Sequence, residues 1–206
     1  MHTDKQLQVI QAAYGVFFRY GFARTTMGDL AKAAGMSRPA LYLVYCGKEE
    51  VFQAVVEWMS DNLLETIQST LKEDWPLERK LMHVLELCIA EPYEQVKANP
   101  DAQDLLALDS HMPALEQAYG NLQTYLADQL KDAVEESGLQ VAATDVARTL
   151  MSAMRGFKLV AMDGKDLRRL IATQVTLTTA GLGQHASTVG ASKTRPSTER
   201  RQRKTA

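Results

Sequence analysis

Between Leu30 and Tyr45 the chain reads LAKAAGMSRPALYLVY. This stretch restricts the local fold more than any other. Ala31 and Ala34 are small where two helices have to cross closely. Gly35 supplies a turn, because glycine adopts positive φ without a Cβ penalty. Ser37 is a good N-cap for the helix that follows, and Pro39 falls in that helix's first turn, where a missing N–H costs little. Leu30 and Leu41 can fill the shared core. A short helix, a Gly-x-Ser turn and a second short helix form the helix-turn-helix pattern.

The flanks are helical as well. Thr3 or Asp4 can cap a first helix to Tyr20 with Leu7, Ile10, Ala13, Tyr14, Phe17 and Phe18 as its apolar stripe, stopped by Gly21. Thr26 with Asp29 resembles a capping box. Lys48 to Leu71 forms a long amphipathic helix with Glu49 and Glu50 in its first turn. Further helices are expected from Pro76 to about Ala98 with a kink or break at Pro92, from Asp101 to His111, from Pro113 to Ser137, from Thr144 to Asp163 with Gly164 as the stop, and from Asp166 to about Leu182. The expected fold is all-α: an N-terminal three-helix helix-turn-helix domain over residues 1–47, a C-terminal helical bundle over 48–184, and a disordered basic tail over 185–206.

Composition narrows the function classes. No apolar run approaches the roughly 18 residues a membrane helix needs, and the N-terminus lacks the basic and apolar regions of a signal peptide. Two cysteines, Cys46 and Cys88, form no CxxC, which suits a reducing cytoplasm and argues against a zinc site. Formal charge runs +2 over residues 1–50, −9 over 51–184 and +5 over 185–206. Basic ends around an acidic middle suit a nucleic-acid-binding end joined to a body that repels DNA, and chance scatter is the bland alternative. No Gly-rich phosphate loop, GxSxG or Glu-x-x-His pair occurs: Lys80 precedes His83 by three, and Leu108 precedes His111 by three. No enzyme, metal or cofactor is therefore expected.

Within the run from Ile10 to Phe52, the stretch AAYGVFFRYGFARTTMGDLAKAAGMSRPALYLVYCGKEEVF resembles the TetR family of bacterial transcription regulators. The resemblance lies in a first helix ending in Gly-Phe, then Thr-Thr-Met-x-x-Leu-Ala, then Ala-Gly-Met-Ser, then Leu-Tyr, then Lys-Glu-Glu-Val, in order and at the family's spacing. It implies a homodimer that sets two recognition helices in successive major grooves of a palindromic double-stranded DNA operator, with half-sites about 34–36 Å apart or a multiple of it. By resemblance Thr26, Ser37, Tyr42 and Lys48 match phosphate-contacting positions, and Arg38 and Ala40 match groove-facing ones.

At 100° per residue, Leu41, Val44 and Tyr45 share one face, while Pro39 and Leu43 point the opposite way. The chain departs from the family at Leu43 and Val44, where an aromatic residue and a His or Tyr are common. Leu43 can meet a thymine methyl together with Pro39 and Ala40, or only pack against sugar. Arg38 can form a bidentate pair with guanine or clamp a phosphate.

For the body, the resemblance implies a small-molecule effector in a cavity of the bundle. Met82, Tyr93, His111, Tyr119 and Tyr125 are the candidates, suited to an apolar or aromatic ligand. The last two helices would form the dimer face, with Leu150, Ala153, Met154, Phe157, Leu170, Ile171 and Val175 supplying apolar area. The bland alternative is that these residues cap the protomer's own core. A regulator that takes no ligand, and responds to a protein partner or to oxidation at Cys46, is the competing function.

Overall fold

The computed structural model describes residues 3–108 and 112–192, with side chains to residue 183, position 107 excepted. Among them ten α-helices and no strand are found: α1 (Asp4–Arg24), α2 (Met27–Ala33), α3 (Arg38–Tyr42), α4 (Lys48–Thr70), α5 (Leu77–Leu85), α6 (Glu91–Lys97), α7 (Asp104–Ala107), α8 (Pro113–Ser137), α9 (Ala143–Val160) and α10 (Gly164–Ser192). The expected all-α class is borne out.

Local chemistry explains the helix ends. Thr3, not Asp4, caps α1, in a capping box closed by Gln6. At Gly21 the backbone has φ 78° and ψ 172°, which interrupts the helical winding where the stop is expected. Thr26 and Asp29 form the second capping box, and Ser37 caps α3 by accepting from Ala40 N at 3.3 Å. Gly138 closes α8 in the left-handed conformation.

The body shows the break expected near Pro92 and departs from expectation in three other places. The segment 77–97 is not one α-helix: Glu86–Ala90 widens into a π-helical turn between α5 and α6. Pro92 has no N–H to offer the carbonyl four residues back and its ring crowds it, so the turn opens just ahead of the proline. The helix expected over 101–111 is a 3-10 turn at Pro100–Ala102 followed by the single turn of α7. Gly164 starts α10 instead of stopping α9, which ends at Val160. Finally α10 passes Leu182 and reaches Ser192, so the first part of the segment expected to be disordered is helix; no proline interrupts it before Pro196. Residues 193–206 and His111 lie outside the described residues.

Two apolar clusters organise the chain. The first joins α1 to α3 with the N-terminal half of α4, around Phe17, Ile10, Leu30, Leu41 and Val55. The second joins the end of α4 with α5, α6, α8, α9 and α10, around Leu85, Tyr93, Leu126, Leu130 and Leu150. Fully burying a Leu, Ile or Phe side chain stabilises by about 1.5–3 kcal/mol. Tyr93 is buried to 1% exposure, and its hydroxyl donates to Ala161 O at 2.9 Å, which satisfies its polar tip at the end of α9. Arg168 of α10 bonds Glu86 at 2.6 Å and also Glu94, tying α10 across the wide turn.

Candidate functional site

Two regions gather the sequence-predicted residues. The first is the outer surface of α2 and α3. Ser37, Arg38, Pro39, Tyr42 and Leu43 are all exposed, Leu43 to 89%. Arg38 and Tyr42 form one outward row: the guanidinium donates to Tyr42 Oη at 3.4 Å and lies 5.7 Å from its ring centroid. Pro39 and Leu43 form a parallel row. Leu41 and Tyr45 are buried, and the helical winding continues irregularly beyond α3 through Tyr45 N to Leu41 O at 3.0 Å. The inward face expected from the 100° spacing is therefore present, although Val44 is only half-buried. Ala40, expected to face outward, is also half-buried.

The Thr26 and Ser37 hydroxyls and the Lys48 ammonium are already engaged within the chain. Thr26 Oγ1 donates to Asp29 Oδ2 at 2.6 Å and accepts from Asp29 N at 3.3 Å. These bonds from Thr26 hold the Asp29 carboxyl below its usual range. Lys48 Nζ donates to Phe22 O at 2.9 Å and Ala23 O at 3.4 Å, and lies 4.5 Å from the Phe22 ring centroid. It ties the last carbonyls of α1 to the first turn of α4, and these two acceptors engage two of its three N–H donors.

Residues 9–55, which contain this surface, match the family model of bacterial regulatory proteins, tetR family. Over this region the chain is similar to the TetR family. It is 37% identical over 70 residues to an uncharacterized HTH-type transcriptional regulator, YfiR, of Bacillus subtilis, a match covering 34% of each chain. It is 32% identical over 71 residues to the HTH-type transcriptional regulator TtgR of Pseudomonas putida, again over 34% of each. The chain thus spans about a third of the length of the curated relatives it matches. A transcriptional regulator from Cytophaga hutchinsonii superposes with a TM-score of 0.68 at 19% identity, over 86% of this chain and 98% of that one, which shows a shared fold.

The second region is a cavity of about 240 Å³ where the two apolar clusters meet. Phe17 and Phe18 of α1 and Phe52 and Val55 of α4 form one wall. The widened turn after α5 brings Leu87 and Cys88 into another, and α7, α8 and α9 contribute Leu105, Tyr119 and Lys158. Of the five residues expected to line a ligand site, Tyr93 and Tyr119 do so. Met82 and Tyr125 do not line the cavity: they are half-buried and pack against the second cluster. His111 lies outside the described residues. Sequence reasoning missed the α1 and α4 wall because those aromatics also fit a structural stripe. It also missed Lys158, whose signal was legible: the residues three and four away are Met154, Arg155, Ala161 and Met162, none of them acidic.

Of the seven residues expected at a dimer face, four are buried inside the protomer and three are only partly covered by it. Leu150, Met154, Ile171 and Val175 are at most 1% exposed, inside the protomer's own core. Ala153, Phe157 and Leu170 are half-buried against the same core. An apolar stripe at 3/4 spacing marks a buried face without saying what buries it. The apolar side chains that do face outward near these helices are Leu159 at 68%, Val160 at 70%, Met162 at 80% and Leu177 at 64%.

The cysteines differ. Cys46 is exposed, with its backbone N–H donating to Glu50 Oε2 at 2.5 Å. Burial pushes the Cys88 thiol up to about 12 against the opposing pull of Lys158, which keeps it protonated and poorly reactive at neutral pH.

Proposed function

We propose that this chain is a homodimeric repressor that leaves a palindromic operator when a small apolar or aromatic ligand fills the cavity. Residues 1–47 read the DNA, and residues 48–184 dimerise and bind the ligand in a cavity that Phe17 and Phe18 help to wall. The observation carrying this reading is that one cavity is walled by Phe17, Phe18 and Phe52 on one side and by the body's α6 to α9 on the other. A molecule entering it presses directly on α1 and α4, the helices that carry the α2–α3 surface. A second route runs through α7. Leu105 and Leu106 line the cavity, while Asp104 Oδ2 accepts from Ala23 N at 2.6 Å and Asp101 pairs with Arg24. Moving α7 outward would draw on the end of α1.

On DNA, Arg38 and Tyr42 form the polar row and Pro39 and Leu43 the apolar one. The operator is read with few polar base contacts, leaning on Arg38 and on methyl groups. Thr26, Ser37 and the remaining N–H of Lys48 serve the phosphates. Two copies meet through Leu159, Val160 and Leu177 on the outer faces of α9 and α10, where Ser152 and Gly156 allow close approach.

The test is selection of bound fragments from genomic DNA by the purified protein. A palindrome is expected, and failure to recover one sinks the reading. On the recovered site, Arg38→Ala is expected to lose about 1–3 kcal/mol of base discrimination. Lys48→Ala weakens binding to every sequence about equally. Full discrimination by the Arg38→Ala protein would show that Arg38 clamps phosphate instead.

A further inference from the structure

Lys158 is the one charged residue among the described residues that line the cavity. It reaches in from α9, donates to Tyr119 Oη, and its ammonium lies 5.1 Å from the Tyr119 ring centroid. No carboxylate among the described residues forms a salt bridge with it. A half-buried ammonium against hydrocarbon is costly unless an anion meets it, and one neutral hydroxyl satisfies only one of its three donors. A second group in the same wall points the same way. Ser60 is 8% exposed, and its Oγ has no hydrogen-bond partner among the described residues. Buried hydroxyls are normally paired.

We propose that the effector is a small organic carboxylate whose head bridges Lys158 Nζ and Tyr119 Oη and whose apolar body lies along Phe18, Phe52, Val55 and Leu87. Ser60 Oγ is left to a second polar atom of the same molecule. The proposal rests on the reading of the cavity as an effector site and gives that effector its chemistry. A single ammonium matches a monoanion. A phosphate dianion would require a second cation, and Arg155, on the Tyr119 ring at 4.8 Å, is bonded to Glu116. Size sets the body: a cavity of about 240 Å³ has room for about eight waters at about 30 Å³ each, and covalently bonded atoms, which sit closer together than waters, fit to roughly ten. Medium-chain and aryl-acetic acids fall in that range.

The experiment titrates the full chain with octanoate and phenylacetate, and with octan-1-ol and 2-phenylethanol as neutral counterparts, by calorimetry and thermal shift. At least one acid is expected to bind about tenfold more tightly than its alcohol, and Lys158→Met to remove that preference by weakening the acid about tenfold while leaving the alcohol unchanged. Tyr119→Phe is expected to weaken the acid severalfold and decides the matter if Lys158→Met does not fold. Alcohols binding as tightly as acids to the unmutated chain, or an acid preference that survives both substitutions, overturns the proposal and leaves the effector reading standing. Absence of binding by all four compounds overturns both. An acid that binds with the expected Lys158 dependence but leaves DNA affinity unchanged supports the anion site and overturns ligand-gated release.

Discussion

Phe17→Ala is expected to destabilise the chain by about 3–5 kcal/mol, the range for removing a buried aromatic ring. Phe17 is fully buried, and its ring stands edge-on to Phe52 at 5.1 Å and stacks on Phe22 at 5.9 Å. It is therefore a buried ring that packs α1 directly on α4. It also lines the cavity, so its loss enlarges a space that is already present, and the surroundings relax only in part around a removed ring. For a chain of this size the midpoint of thermal unfolding should fall by on the order of 10 °C. Urea and thermal unfolding followed by circular dichroism measure both quantities. A loss below about 1 kcal/mol would mean that the aromatic cluster does not hold α1 in place.

The second large effect is a contrast between two glycines. Gly35→Ala is expected to cost about 1–2 kcal/mol, the strain of an L-residue at positive φ. Gly35 has φ +65° and nothing within 4 Å of an added Cβ. Gly21→Ala should cost about 3 kcal/mol or more, because a steric term adds to a conformation that essentially only glycine populates. Its Cβ would overlap Asp104 Oδ1 and lie 2.6 Å from the Asp101 carbonyl oxygen, which is backbone and cannot swing aside. The contact matters because Asp104 Oδ2 accepts from Ala23 N and Asp104 Oδ1 is buried without a partner among the described residues. Pushing this carboxylate away leaves an N–H at the end of α1 unpaired. Equal losses for the two substitutions, read from urea midpoints, would show that the 100–107 segment yields at no cost.

Much of the N-terminal region was legible from residues a few positions apart. Capping at Thr26 and Ser37, the stop at Gly21 and the turn at Gly35 each depend on contacts within four residues, and each occurs where the sequence places it. The division of ALYLVY into faces followed from helical geometry for the same reason, and it erred only at Ala40 and Val44, where a five-residue helix runs out. The body was less legible. Proline at 92 announced an irregularity without specifying a π-helical turn. Glycine at 164 carried no sign of whether it ends one helix or begins the next.

What the sequence by itself determined is the helical class, the helix-turn-helix segment and the family resemblance it carries, because these rest on periodicity and on local hydrogen bonds. What only the tertiary structure decided is which apolar residues face which neighbour. Leu150, Met154, Ile171 and Val175 have the same periodicity whether a partner or their own protomer buries them, and only the packing of α9 and α10 on α5 and α8 shows that it is the protomer. Phe17 and Lys158 come from opposite ends of the described chain and meet at one cavity only after α1, α4, α8 and α9 have docked. Side-chain contacts at such separations depend on the closure of the whole bundle, and no window of sequence contains that information.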